Sequence, residues 1–191
     1  EARNALKRYT DFYHTRWIKQ YMVGNRKQRQ WVIMAANELG LMPTTEGGLD
    51  FKMNLTEMLD GYPGHEHSYP LMPLYQDAVQ LTAQSGITYT PTLLVNYGGP
   101  FGEDYFFEHY NGHGDAKMRR FVPHEVLDER FERRAWFRDD QYVFSRIAAS
   151  AGTILRAGGN VAMGCHGEMD GIGCHWELWA FAAGGLTPLE V

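Results

Sequence analysis

Cysteine is scarce: Cys165 and Cys174 are the only two in 191 residues. That is too few for a disulfide framework, and it says little about redox compartment. Dense basic runs are missing as well. With 18 Lys and Arg against 23 Asp and Glu the net charge is −5, which argues against a nucleic-acid binder driven by phosphate neutralisation. No apolar stretch approaches the roughly 20 residues of a membrane span. A glycine-rich dinucleotide fingerprint after a strand is lacking, and so is any hairpin signal between strand candidates. What is present is 44% hydrophobic and 21% charged positions. That is enough for a buried core, and it is unlike a disordered tail, a collagen-like rod or a disulfide miniprotein. A small molecule is the expected partner.

The two ends carry their own signals. Glu1 opens in what already reads as helix, with no initiator Met, cationic n-region or apolar signal segment. At the other end, Thr187-Pro188-Leu189-Glu190-Val191 combines a cap, a first-turn proline and a Glu three residues after the cap. A helix start followed by nothing predicts that these residues belong to a longer protein, with any targeting signal outside them. The sequence assigns no localisation; a periplasmic or secreted full-length protein is compatible with it.

Strand and helix patterns alternate along the chain. Glu1 to Tyr13 reads as helix, and Trp17-Ile18 with Tyr21-Met22-Val23 as a short strand and its exit. Asn25 precedes a helix with Val32, Ala35, Ala36 and Leu39 on one face, stopped by Gly40. Leu41 to Thr44 is a buried strand candidate, followed by a helix across Met53, Leu55, Met58 and Leu59. Gly61 to His67 is a third strand candidate, and a helix from Leu74 to Gln84 ends at Gly86. Ile87 to Val95 is a β-rich run in which Pro91 predicts a bulge or an early strand end. From Asn96 to Asp140 the periodicity lapses; this aromatic and then charged stretch is expected to be a partly helical excursion or a lid. Helical spacing returns with Val143, Ile147, Ala151 and Ile154, closed by Gly158-Gly159. Val161-Ala162-Met163 is a short strand, and His175 to Ala183 the next helix. This succession of roughly five βα units predicts an α/β fold with a parallel sheet, either doubly wound or part of a (β/α)₈ barrel. A complete barrel needs about 250 residues.

The chemistry is expected in loops after the strands' C-terminal ends. His65-Glu66-His67 closes the third strand; two positions apart on an extended chain share a face, so both imidazoles could reach one ion. The alternative is a solvated or backbone-bonded pair. His166 follows the last strand through Gly164-Cys165 and has either an active-site role or that of an ordinary satisfied histidine. Lys19 and Glu46 end the first and second strands. Each is weak alone, but a polar residue after each successive strand is a better signal. Cys165, His166, Cys174 and His175 could be imagined as a structural zinc site, although eight residues between the cysteines is unlike ribbon or finger spacing.

Several segments together resemble the amidohydrolase superfamily, in the branch whose hydrolase domain is fused behind TolB-like β-propeller repeats. They are Tyr89-Thr90-Pro91-Thr92-Leu93-Leu94-Val95 with Tyr97-Gly98-Gly99-Pro100, Arg119-Arg120-Phe121-Val122-Pro123-His124, and Gly164-Cys165-His166-Gly167 running into Gly173-Cys174-His175-Trp176-Glu177-Leu178-Trp179. Arg29-Gln30-Trp31-Val32 with Ala35-Ala36, Glu46-Gly47-Gly48 and Asp60-Gly61-Tyr62 with Glu66-His67 are similar to that branch too. The resemblance covers nearly the whole chain. It implies a partial (β/α)₈ barrel over residues 1–191, with the excursion at about 96–140 as an insertion contributing aromatic contacts to substrate. It also implies one or two divalent ions, zinc foremost, and hydrolysis of an amide or cyclic amide by a metal-activated water. The substrate would be a small molecule or peptide-like. The first strands and their half of the metal centre would lie upstream of Glu1, where that branch also carries a β-propeller.

By the same resemblance Lys19 matches a lysine that becomes carboxylated in some members, and His67 a histidine ligand. Tyr97 and His175 are the implied substrate contacts. His65 stands where the branch has an apolar residue and takes no ligand role. Two departures bear on mechanism. Glu46 occupies the region where many members have a histidine ligand. His166 stands in place of an aspartate that binds metal and shuttles the proton; as ligand or acid/base, an imidazole hardly does both through one nitrogen. Asp170 and Glu168 are the nearby reserves. The fragment alone is expected to be inactive. The runner-up is a non-catalytic degenerate barrel that holds a ligand or peptide.

Overall fold

The computed structural model describes residues 1–21, 24–132, 136–167 and 169–191. Met22 and Val23, placed by the sequence in the exit from the first strand, and Glu168 lie outside them. The chain runs α1 (Ala2–Tyr13), β1 (Trp17–Gln20), α2 (Arg26–Leu39), β2 (Met42–Glu46), α3 (Phe51–Leu59), β3 (Gly64–Glu66), α4 (Gln76–Ser85) and β4 (Thr88–Thr90). After β4 come α5 (Gly102–His109), α6 (Ala116–Phe121), α7 (His124–Glu132), α8 (Phe144–Arg156), β5 (Asn160–Val161) and α9 (Ile172–Ala183).

Local chemistry explains most of these boundaries. At the start of α2 the Asn25 side chain accepts from the Gln28 N–H at 3.1 Å while Gln28 Oε1 accepts from the Asn25 N–H at 2.8 Å. This reciprocal cap satisfies two otherwise orphaned groups. Gly40, at φ 65°, ends the same helix in the left-handed region that glycine enters without penalty. The apolar stripe read from α8 is the face it buries: Ile147, Ala151 and Ile154 are inaccessible to solvent or nearly so. Pro91, which has no N–H for the ladder, follows the last residue of β4 directly. Thr92 then turns at φ 46° into a single 3₁₀ turn, Leu93–Val95.

All four strand pairings are parallel, and the spatial order is β1-β2-β3-β4-β5. A doubly wound sheet reverses its order at a switch point; this one advances in a single direction. With right-handed crossovers the connecting helices then fall on one face. There α2 lies on β2, α3 on β3, and α4 packs against both α3 and α8. The arrangement is compatible with a segment of a barrel. At one margin β1 has an unpaired edge, where Trp17 and Tyr21 are exposed.

The excursion between β4 and α8 is mostly helical. Phe106 and Phe107 turn inward, while Phe121 and Trp136 stay exposed: Trp176 of α9, fully buried, is stacked on Phe106 at 5.7 Å and meets Phe107 edge-on at 5.0 Å. Next to this cluster α8 and α9 run so close that Gly184 sits against Ala148, and a Cβ there would be 2.7 Å from the Ala149 backbone nitrogen. Gly184→Ala is therefore expected to lower stability by about 1–3 kcal/mol, the usual cost of overpacking. A shift of the urea midpoint at unchanged slope would show it; an unchanged midpoint would mean that the helices part freely.

Candidate functional site

Strand ends of β1, β2 and β3 converge with the loops after β4 and β5. Thr44 and Glu46 of β2 and Lys19 of β1 alternate onto the same sheet face, and the register pairs Lys19 with Thr44. Lys19 Nζ consequently stands 3.6 Å from Glu46 Oε2. His67 comes next, just beyond the end of β3, with its Nε2 at 3.4 Å from Glu46 Oε1. The Tyr97 hydroxyl donates to the same oxygen at 3.4 Å, and its ring lies 5.3 Å from that of His67. His166, exposed, completes one wall, its ring 5.1 Å from that of His67. Lys19, Glu66, His67, Thr92 and His166 border an open cleft of about 300 Å³.

His67 is held from behind. Its Nδ1 lies 2.6 Å from Thr92 Oγ1 and 3.3 Å from the Val95 carbonyl. The Val95 carbonyl and the Glu46 carboxylate can only accept, so the ring has two arrangements: Nδ1–H turned to Val95 with Nε2 free, or Nε2–H turned to Glu46 with the Thr92 hydroxyl donating to Nδ1. His67 itself has φ 71°, a costly conformation for a non-glycine residue, of the kind that clusters at functional sites. Burial holds its imidazole below the ordinary range; the Glu46 carboxylate opposes that shift, and His166 adds to it. Burial and the Glu46 charge also push the Tyr97 hydroxyl up.

The left-handed turn at His67 corrects the expectation that His65 and His67 share a face. Extended geometry ends at Glu66, and the two rings diverge. His65 is fully buried under the helices, where its Nδ1 meets Glu57 Oε2 at 3.1 Å and its ring packs on Tyr69. Thr45 Oγ1 donates to the other Glu57 oxygen at 3.3 Å. The pair is a polar knot in the core and is not turned to the cleft.

Cys165 and Cys174 are joined as a disulfide, so the imagined Cys₂His₂ site has no thiolates to offer. The bridge ties the His166 loop to the first turn of α9. His175, expected at the substrate, borders a different groove of about 470 Å³ with Tyr110, Phe121 and Trp179, and the reserve Asp170 lies there too.

Three residues near the cleft escaped the sequence reading. Thr92 orients His67, and Glu66 borders the opening. Glu177 of α9 is fully buried and accepts the Leu93 and Leu94 N–H groups at 2.7 and 3.0 Å. It thereby fixes the 3₁₀ turn that begins at Thr92. Burial pushes its carboxyl up to about 7, against the opposing pull of those two N–H groups.

Glu46 Oε2 is buried and accepts no hydrogen bond among the described residues, with Lys19 Nζ 3.6 Å away, and Glu46 Oε1 faces His67 Nε2. His166 does not close on the same point. Among the described residues, one group of three His, Cys, Asp or Glu brings its ligand atoms within 4.8 Å of one another, and it lies elsewhere: His113, His124 and Asp128. That group could hold a metal ion. Set beside models of protein families, curated proteins and solved structures, the chain matches none of them.

Proposed function

We propose that this chain is part of a metal-dependent hydrolase acting on carbon–nitrogen bonds, amide or cyclic amide, with its five strands forming a portion of a (β/α)₈ barrel. The observation that carries the reading is the largely buried Glu46 carboxylate, with one oxygen that accepts no hydrogen bond among the described residues and has only the Lys19 ammonium 3.6 Å away, and the other turned to His67 Nε2. Glu46 and His67 would hold the ion, with Lys19 and His166 at the margin of the site. A nitrogen and oxygen donor set of this kind suits zinc. When bound, such an ion acidifies a water toward neutral pH and polarises the carbonyl under attack.

The chain's own residues do the positioning. With the His67 proton on Nδ1, turned to the Val95 carbonyl and Thr92, Nε2 would be available to an ion. Tyr97 closes over Glu46 and excludes water from it. Lys19 balances the Glu46 charge from the edge strand. His166, exposed at the rim, can hand a proton to a departing nitrogen, a task for which imidazole is suited at neutral pH. Strand order supports the barrel portion, because a unidirectional parallel sheet with its cleft at the C-terminal strand ends is how such enzymes are built.

A non-catalytic domain that holds a small or peptide-like ligand is the second reading, favoured by the failure of His166 to converge with Glu46 and His67. Elemental analysis and an amide and lactam hydrolysis panel on the full-length protein and its Glu46→Gln variant separate the two. The hydrolase reading expects bound divalent metal and turnover to fall together. A variant that retains both at wild-type level would sink the assignment of this cleft. Metal without any turnover in the wild type would support the binding domain.

A further inference from the structure

We infer that His113, His124 and Asp128 form a second cation site, outside the cleft, which takes a borderline divalent ion such as Zn²⁺ and braces the segment between β4 and α8. The inference stands apart from the hydrolase reading, since it shares no residue with the cleft.

One carboxylate gathers two imidazoles. His113 Nε2 lies 2.8 Å from Asp128 Oδ1, and His124 Nε2 3.4 Å from Asp128 Oδ2. His124 and Asp128 are four apart on α7, so they share a helical face. His113 approaches from a separate element, the 3₁₀ turn Gly112–Gly114. That turn is pre-set: Asn111 Oδ1 accepts the Gly114 N–H at 2.8 Å, and the His113 ring stands edge-on to Phe131 at 5.6 Å. Phe131 occupies the space left by the missing side chain of Gly112. Two of the three ligands are therefore positioned by helix spacing and the third by a packed turn.

The donor set selects the ion. Two nitrogens and one carboxylate oxygen favour Zn²⁺, Co²⁺ or Ni²⁺ over Mg²⁺ and Ca²⁺, which prefer all-oxygen shells. Metal–ligand bonds of about 2.0–2.2 Å place tetrahedral ligand atoms about 3.4 Å apart. The present atoms already lie within 4.8 Å of one another, and their exposed side chains can swing the remaining distance. Water would fill the fourth position. His113 and His124 are exposed, so the arrangement suits a clasp between the 3₁₀ turn and α7, with α6 folded between its ligands. Without an ion, the same three residues are one surface hydrogen bond and one ion-pair contact, and the experiment separates these accounts.

The test uses the whole chain, stripped with chelator and titrated with Zn²⁺ and Co²⁺ by calorimetry and cobalt absorption. The variants are His124→Ala, whose side chain is 76% exposed and not part of the core, and the isosteric Asp128→Asn. Each is expected to abolish one binding event or weaken it at least about tenfold, no less than loss of an outer-shell partner does. That event should persist in His67→Ala. Zn²⁺ should also slow tryptic cleavage at Lys117, Arg119 and Arg120 of α6, and His124→Ala should remove the protection. If both variants bind with the number and affinity of the wild type, or if His67→Ala removes every event, the site does not exist.

Discussion

Glu177→Ala is expected to destabilise the protein by roughly 2–4 kcal/mol, because two buried N–H groups, those of Leu93 and Leu94, lose their acceptor and each costs about 1–3 kcal/mol when unsatisfied. Nothing else in the 3₁₀ turn can replace a carboxylate that takes both bonds. The same residue should set a pH dependence. In the folded chain its pKa is raised from 4.5 to about 7, so between these values the folded state keeps a proton that the unfolded state has released. The group's contribution is fully present below about 4.5 and is lost as pH rises through 7. From one end of that window to the other it amounts to about 3 kcal/mol. Urea titrations at pH 5 and pH 8 measure it. Glu177→Gln, which cannot titrate, should lose that part of the slope while also losing one of the two bonds, since an amide nitrogen cannot accept. A slope unchanged in Glu177→Gln would show that the proton resides elsewhere.

The largest expected effect on activity is that of His67→Ala. Removing the imidazole takes away the ring nitrogen facing Glu46 and, with it, several kilocalories of stabilisation that an ion in the cleft would supply. This corresponds to about three orders of magnitude in kcat/KM. Thr92→Val is the informative companion. It keeps shape and leaves Nδ1 with the longer Val95 bond alone, so the ring should lose orientation rather than disappear; a decrease of about 10–100-fold in metal affinity is expected, the usual effect of an outer-shell partner. Steady-state kinetics and metal titration on the two variants give the ranking. If Thr92→Val matches wild type while His67→Ala is dead, the threonine is packing only. If His67→Ala turns over normally, the cleft is not the reaction site.

Signals that act over a few residues were legible in the sequence. Asn25 and Gly40 bound α2, Pro91 ends β4, and the spacing of Ile147, Ala151 and Ile154 gives the buried face of α8. Recurrence of a polar residue after successive strands located Lys19, Glu46, His67 and His166 along one cleft edge. The misread features depend on partners far along the chain. The Leu93 and Leu94 N–H groups of the turn after β4 are satisfied by Glu177 of α9, and His65 is buried because α3 supplies Glu57. The positive φ at His67 has no glycine to announce it, so strand alternation was carried one residue too far. His175 was placed by its neighbours in the resemblance, whereas the start of α9 sends it into the second groove. His113, His124 and Asp128 were hidden for another reason: they lie in a charge-balanced stretch with no strand end to mark them.

The unidirectional strand order also has a temporal side. Parallel neighbours can pair only after the intervening helix has been made, and such non-local pairing is slow to form. Lys19, Glu46, His67, Thr92 and His166 are contributed in that same order, each by a later strand. During synthesis the cleft is therefore assembled from one wall to the other, and it gains its last histidine only when the chain has grown past residue 166. Until then Glu46 and His67 stand without the far wall.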